Sequence, residues 1–125
     1  MPALASGFDG TDGFILTGAN SHCGTDATHG DINADGIDDL VVACESNFSD
    51  SSGYVFVVFG RTTFTSDPTP GTMDGFSELN GDTGFYLKGV QPGDRPQTVA
   101  AGDLNNDGRD DFIMGSQRHD YGGEA

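Results

Sequence analysis

Asp31-Ile32-Asn33-Ala34-Asp35-Gly36-Ile37-Asp38-Asp39 is repeated, spacing for spacing, by Asp103-Leu104-Asn105-Asn106-Asp107-Gly108-Arg109-Asp110-Asp111. In each copy the oxygen-bearing side chains fall at positions 1, 3, 5 and 9, and a glycine stands at position 6, where the backbone must turn sharply. A hard cation such as calcium takes about six to eight oxygen ligands, so a tight loop serves it with carboxylates on alternate residues plus a main-chain carbonyl. The spacing therefore predicts two Ca2+ sites. Asp31, Asn33, Asp35 and Asp39, with the carbonyl of Ile37, are the expected ligands of the first. Asp103, Asn105, Asp107 and Asp111, with the carbonyl of Arg109, are those of the second.

An EF-hand begins the same way but needs a bidentate Glu at position 12 and a helix on each side. Position 12 is Val42 in one copy and Met114 in the other, and the loops run into Leu40-Val41-Val42-Ala43-Cys44 and Phe112-Ile113-Met114-Gly115-Ser116. Short apolar runs of this kind read as buried strands, so each loop is expected at the tip of a β-hairpin. The same residues have a second reading, a pair of Asx-rich turns without a metal. Carboxylates crowded this closely repel one another, which favours the ion.

The chain has 125 residues, with 20 acidic against 5 basic and a formal charge of −15. That is single-domain size, and the sign argues against nucleic acid and anionic membranes as partners. Twenty glycines, 34% hydrophobic residues and no tryptophan fit short strands joined by tight turns. The segment Met1–Gly7 has neither a basic start nor an apolar run, so it does not read as a signal peptide, and no stretch is apolar enough to span a membrane. Calcium loops of moderate affinity suit places where the ion is plentiful, so the expected location is extracellular or at the cell surface.

A longer period encloses the loops. Phe14-Ile15-Leu16-Thr17-Gly18 aligns with Phe85-Tyr86-Leu87-Lys88-Gly89, and Phe8-Asp9-Gly10 with Leu79-Asn80-Gly81, so one repeat spans residues 4–75 and a shortened second one residues 76–125 of a single domain. An edge segment is expected at Phe14–Gly18 and strands at Thr25–Asp31, Leu40–Cys44 and Gly53–Gly60; the repeat then restarts with Phe76–Asn80 and Phe85–Gly89, and Thr98–Gly102 leads into the second loop. Tyr54-Val55-Phe56-Val57-Val58-Phe59 is the strongest β signal, and Arg61–Gly75, rich in Thr, Pro and Gly, reads as an ordered surface loop. The second copy ends at Gly122–Ala125, where the counterpart of the Tyr54–Phe59 strand should begin. A Cys23–Cys44 disulfide across the first hairpin would need a bulge or a bend, because a regular register puts Cys44 opposite a residue near Asp26.

Gly30-Asp31-Ile32-Asn33-Ala34-Asp35-Gly36-Ile37-Asp38-Asp39-Leu40-Val41-Val42, followed by Tyr54-Val55-Phe56-Val57-Val58-Phe59-Gly60 and Leu79-Asn80-Gly81…Gly84-Phe85, resembles the FG-GAP repeat of integrin α-subunit β-propellers, in its bacterial integrin-like form. The resemblance implies an all-β chain of about two four-stranded blades, the second incomplete, with the calcium loop joining the first two strands of each. It assigns the same ten ligand positions. The family's Gly-Ala-Pro is replaced by Ala43-Cys44-Glu45 and Gly115-Ser116-Gln117, and its Phe-Gly by Cys23-Gly24 and Arg95-Pro96.

Propellers close with about four to eight blades, so the chain is expected to form a homo-oligomer or to belong to a longer propeller. The function expected is extracellular binding or adhesion to a protein or glycan ligand, with structural ions and no catalysis. The alternative is the accessory propeller of a secreted hydrolase or glycan-binding protein. Ser21-His22-Cys23 with His29 would supply a thiol nucleophile and base, but reads better as a polar loop feeding a strand, and no His or Cys aligns with it in the second copy. Phe48, Phe64 and Tyr121 are the aromatic candidates for stacking on a sugar.

Overall fold

A computed structural model describes residues 10–11, 13–17, 22–45, 52–64, 72–90 and 93–118. The expected strand Gly122–Ala125, the start of the first repeat near Leu4, and the candidates Ser21, Phe48 and Tyr121 lie outside the described residues. The architecture is all-β. Its strands are β1 (Ile15–Thr17), β2 (His22–Gly30), β3 (Asp39–Glu45), β4 (Tyr54–Val58), β5 (Thr72–Asp74), β6 (Gly84–Lys88), β7 (Asp94–Gly102) and β8 (Asp111–Arg118).

β2, β3, β4 and β6 form an antiparallel sheet in that order. Its middle is a run of β-branched and aromatic side chains, which suit a pleated surface covered on both faces. Val41, Ala43, Val55, Val57 and Phe56 are fully buried. One face carries Val42, Cys44, Phe56 and Val58, covered by Met73, Leu79 and the rings of Phe14, Phe64 and Phe76. The opposite face carries Val41, Ala43, Val55 and Val57, packed against Val99 and Phe112 of the β7–β8 hairpin. The single period-2 alternation of β3 and β4 thus serves two separate cores.

One expectation changes. Residues 72–74, expected in a loop, form a strand that pairs in parallel with β1, Ile15 opposite Thr72. The Gly/Pro/Thr composition hid it; tertiary contacts supply what local propensity lacks, since Met73 is buried and the Gly75 N–H donates to the Thr17 carbonyl at 2.7 Å. Phe76–Asn80, where the repeat restarts, begins as a turn. The Asp74 carboxylate accepts the Phe76 N–H at 2.9 Å and closes it as an Asx turn.

Of the bulge or bend that a disulfide required, the first hairpin contains a bulge. Register shifts between Cys23 and Asp26 bring Cys23 opposite Cys44, and the two sulfurs are bonded. β7 shifts at the aligned place, between Pro96 and Thr98. The bulge therefore belongs to the repeat, while the disulfide belongs to its first copy alone.

Candidate functional site

Each nine-residue loop lies between the two strands of a hairpin, β2–β3 in one case and β7–β8 in the other. The loops are built alike. Asp31 accepts the N–H of Asp35 on one carboxylate oxygen and that of Gly36 on the other, both at 2.9 Å. Asp103 accepts the N–H groups of Asp107 and Gly108 at 3.0 and 2.9 Å. Position 5 accepts from position 7: Ile37 N–H to Asp35 at 2.8 Å, Arg109 N–H to Asp107 at 2.9 Å. Asn33 and Asn105 each donate from the side-chain amide to the Asp two residues on. Positions 4 and 6 are left-handed in both loops, Ala34 and Asn106 at φ 62° and 60°, Gly36 and Gly108 at 89° and 87°. Glycine adopts that backbone freely and Asn tolerates it, whereas Ala is strained there.

Position 9 closes the base of each loop. Asp39 is fully buried and accepts three N–H groups: Ile32 at 2.8 Å, Asn33 at 3.2 Å and Gly60, from the segment after β4, at 2.8 Å. Only glycine fits at position 60, because a Cβ there would lie 2.1 Å from the Asp38 carbonyl oxygen. Asp111 accepts the Leu104 N–H at 3.0 Å.

The ten residues expected as ligands are therefore gathered into two loops, but the expected Ca2+ sites are not found. Among the described residues no group of three or more His, Cys, Asp or Glu side chains is placed to hold a metal ion. The carboxylate oxygens turn to backbone N–H groups of their own loops. Hydrogen bonds to a carboxylate favour its charged form, so these donors offset the crowding that had argued for a cation. Asp107 shows it directly: the Arg109 N–H, followed by the Asn105 amide, holds its pKa below the ordinary carboxylate value.

Position 8, which the cation reading left without a role, joins the two loops. Asp110 accepts the Asp31 N–H on its carboxylate at 2.9 Å, and donates its own N–H to the Asp31 carbonyl at 3.0 Å. Asp26 makes a parallel link, accepting the Val99 N–H at 3.0 Å. An acidic residue at position 8 in both copies was the available signal. Asp38, the counterpart of Asp110, instead faces His29, with Nδ1 and the carboxylate 2.6 Å apart and both side chains largely exposed.

Beside Asp38 opens a cleft of about 290 Å3 lined by Phe14, Leu40, Val58, Arg61 and Phe64. Phe64, a sugar-stacking candidate, lies parallel to Phe14 at 4.0 Å, with the Arg61 guanidinium 4.8 Å over its ring. Its faces are taken within the chain. Cys23, the candidate nucleophile, is bonded to Cys44, and no described cysteine is free.

Residues 96–125 match the FG-GAP repeat model, a non-catalytic repeat type, and the matched segment begins in β7 and takes in the second loop and β8. No curated protein and no solved structure gives a significant match to the chain. Among the described residues no helix is long and apolar enough to cross a membrane.

Proposed function

We propose that this chain is a non-catalytic binding or adhesion module made of FG-GAP-type β-propeller blades, residues 4–75 and 76–125 being successive repeats. The observation that carries the reading is the pairing of the two Asp loops. They share one hydrogen-bond pattern and are tied by Asp110, so two copies of one unit stand face against face. The FG-GAP match to the second copy supports the same unit for the first. The β2–β3–β4–β6 sheet is then one blade and β7–β8 the inner half of the next. A blade exposes an apolar face unless a neighbour covers it, which favours association with further blades, from other copies or from a longer chain.

The Cys23–Cys44 disulfide supports action outside the cell, since such bonds persist in oxidising compartments. The hairpin-tip loops, each closed by its own hydrogen bonds, are suited to presenting a ligand surface. The test is solid-phase binding of the chain to extracellular proteins alongside a glycan array. Saturable binding to a protein ligand is the expected result. A blank against both panels would contradict the reading.

A further inference from the structure

The contact between the two repeats has two sides, and each repeat carries the counterpart of both. On the first repeat the receiving side is Asp26, Gly30, Asp31, Ile32 and Val41; on the second the inserting side is Val99, Ala101, Asp110 and Phe112. Moving along the sequence by the repeat turns the receiving side into Thr98, Gly102, Asp103, Leu104 and Ile113 of the second repeat. It turns the inserting side into Ala27, His29, Asp38 and Leu40 of the first.

The second repeat's derived surface is open, and the first's is exposed at Ala27, His29 and Asp38 while Leu40 is half-buried. Val41 is fully buried, but its counterpart Ile113 is 53% exposed. Ile32 packs against the same Val41/Val99 core as Phe112, but its counterpart Leu104 is 66% exposed. Leu40, the counterpart of Phe112, borders the cleft that Phe14 and Phe64 line. Among the described residues no carboxylate stands against the Asp103 N–H as Asp110 stands against that of Asp31.

We infer that the chain associates head to tail with a second copy of itself: Leu104 of one copy seats in the Phe14/Leu40/Phe64 cleft of the next, whose Asp38 clasps the Asp103 backbone. The inference rests on the blade reading above. A second copy is the occupant that the geometry favours, because one chain carries both halves of a contact it already makes internally. Such an interface is heterologous, joining different patches, so it leaves a free half at each end of any open assembly. Asp38 leaves His29 to make the clasp, and the apolar cleft loses water to Leu104. The charge of −15 opposes association over long range, so salt should strengthen it.

Light scattering after size exclusion tests this with two variants that damage opposite sides, Leu104→Asp and Asp38→Lys. The unmodified chain should exceed the monomer mass as its concentration rises, and each variant alone should stay monomeric. Mixed in equal amounts, the two variants should give twice the monomer mass and no more, because only one sound junction can form. A monomeric unmodified chain, variants that still assemble, or a mixture that stays monomeric would each overturn the inference. If either variant melts early, Ile113→Lys and Ala27→Asp probe the same junction from neighbouring positions. The amide protection of Asp31 and Val99 in the monomer separates the two claims. If it is retained while association fails, the blade reading stands and only the self-docking is lost.

Discussion

Asp110 holds Asp31 by two hydrogen bonds in opposite senses, its carboxylate accepting the Asp31 N–H at 2.9 Å and its N–H donating to the Asp31 carbonyl at 3.0 Å. The first residue of one loop is thus fixed by the eighth residue of the other. Position 8 of the second loop is a clasp on the first, and the loops are joints of the fold as well as its tips.

Removing the side-chain half of that clasp leaves a half-buried N–H without its charged acceptor. Asp110→Ala should cost about 1.5 kcal/mol, the usual scale for a hydrogen bond to a charged group. A lower urea midpoint at an unchanged slope is the expected reading. An unchanged midpoint would mean that the clasp adds nothing to stability.

Ala34 and Asn106 occupy the same left-handed position, at φ 62° and 60°. The strain on a non-glycine, non-Asn residue there is about 1 kcal/mol. Ala34→Asn should therefore raise the melting temperature by several degrees, and Asn106→Ala should lower it by a similar amount. Shifts of the same sign in both variants would contradict the shared geometry.

Cys23 and Cys44 are 21 residues apart, and a bridge closing a loop of that length stabilises by about 3 kcal/mol in the chain-entropy account. The Cys23→Ala/Cys44→Ala double variant should lose that much in denaturant unfolding. Reductant should then have no further effect on it. If reductant leaves the unmodified chain as stable as before, the bond is absent or contributes nothing.

Asp74 and Asp107 both have folded-state pKa values below the ordinary one, chiefly through the N–H groups of Phe76 and Arg109. As pH falls, the unfolded chain takes up these protons first, so the stabilisation present above the ordinary carboxylate range is lost on the way down through the folded pKa values. Asp107 is exposed and Asp74 only half-buried, which keeps the effect small. Asp74→Asn and Asp107→Asn should flatten the acid limb of the stability–pH curve and leave the neutral limb's slope unchanged. A steeper acid limb would reverse the sign of the argument.

Much of the strand order was legible because β-branched runs and the doubled Asp loop fix which segments pair. Tyr54–Val58 and Asp39–Glu45 follow from their own side chains. β5 was not legible, since Met73 and Gly75 owe their conformation to Phe56 and Thr17 rather than to their neighbours in sequence. At the loops the residue types gave the place and the symmetry but pointed to the wrong chemistry. A carboxylate at alternate positions looks the same whether it faces a cation or a backbone N–H, and the donors here come from the loop's own left-handed turns at Ala34 and Gly36. The role of position 8 lay outside any local pattern, because its partner is a backbone group 79 residues away.

Amide hydrogen exchange in excess chelator tests the central claim most directly. If the loops are closed by their own hydrogen bonds and the repeats held by Asp110 and Asp26, the N–H groups of Gly36, Gly108, Asp31 and Val99 should be protected. Those of Asp31 and Val99 should open together with the central sheet. Fast exchange at Gly36 and Gly108, or opening of Val99 independent of β3 and β4, would contradict the account.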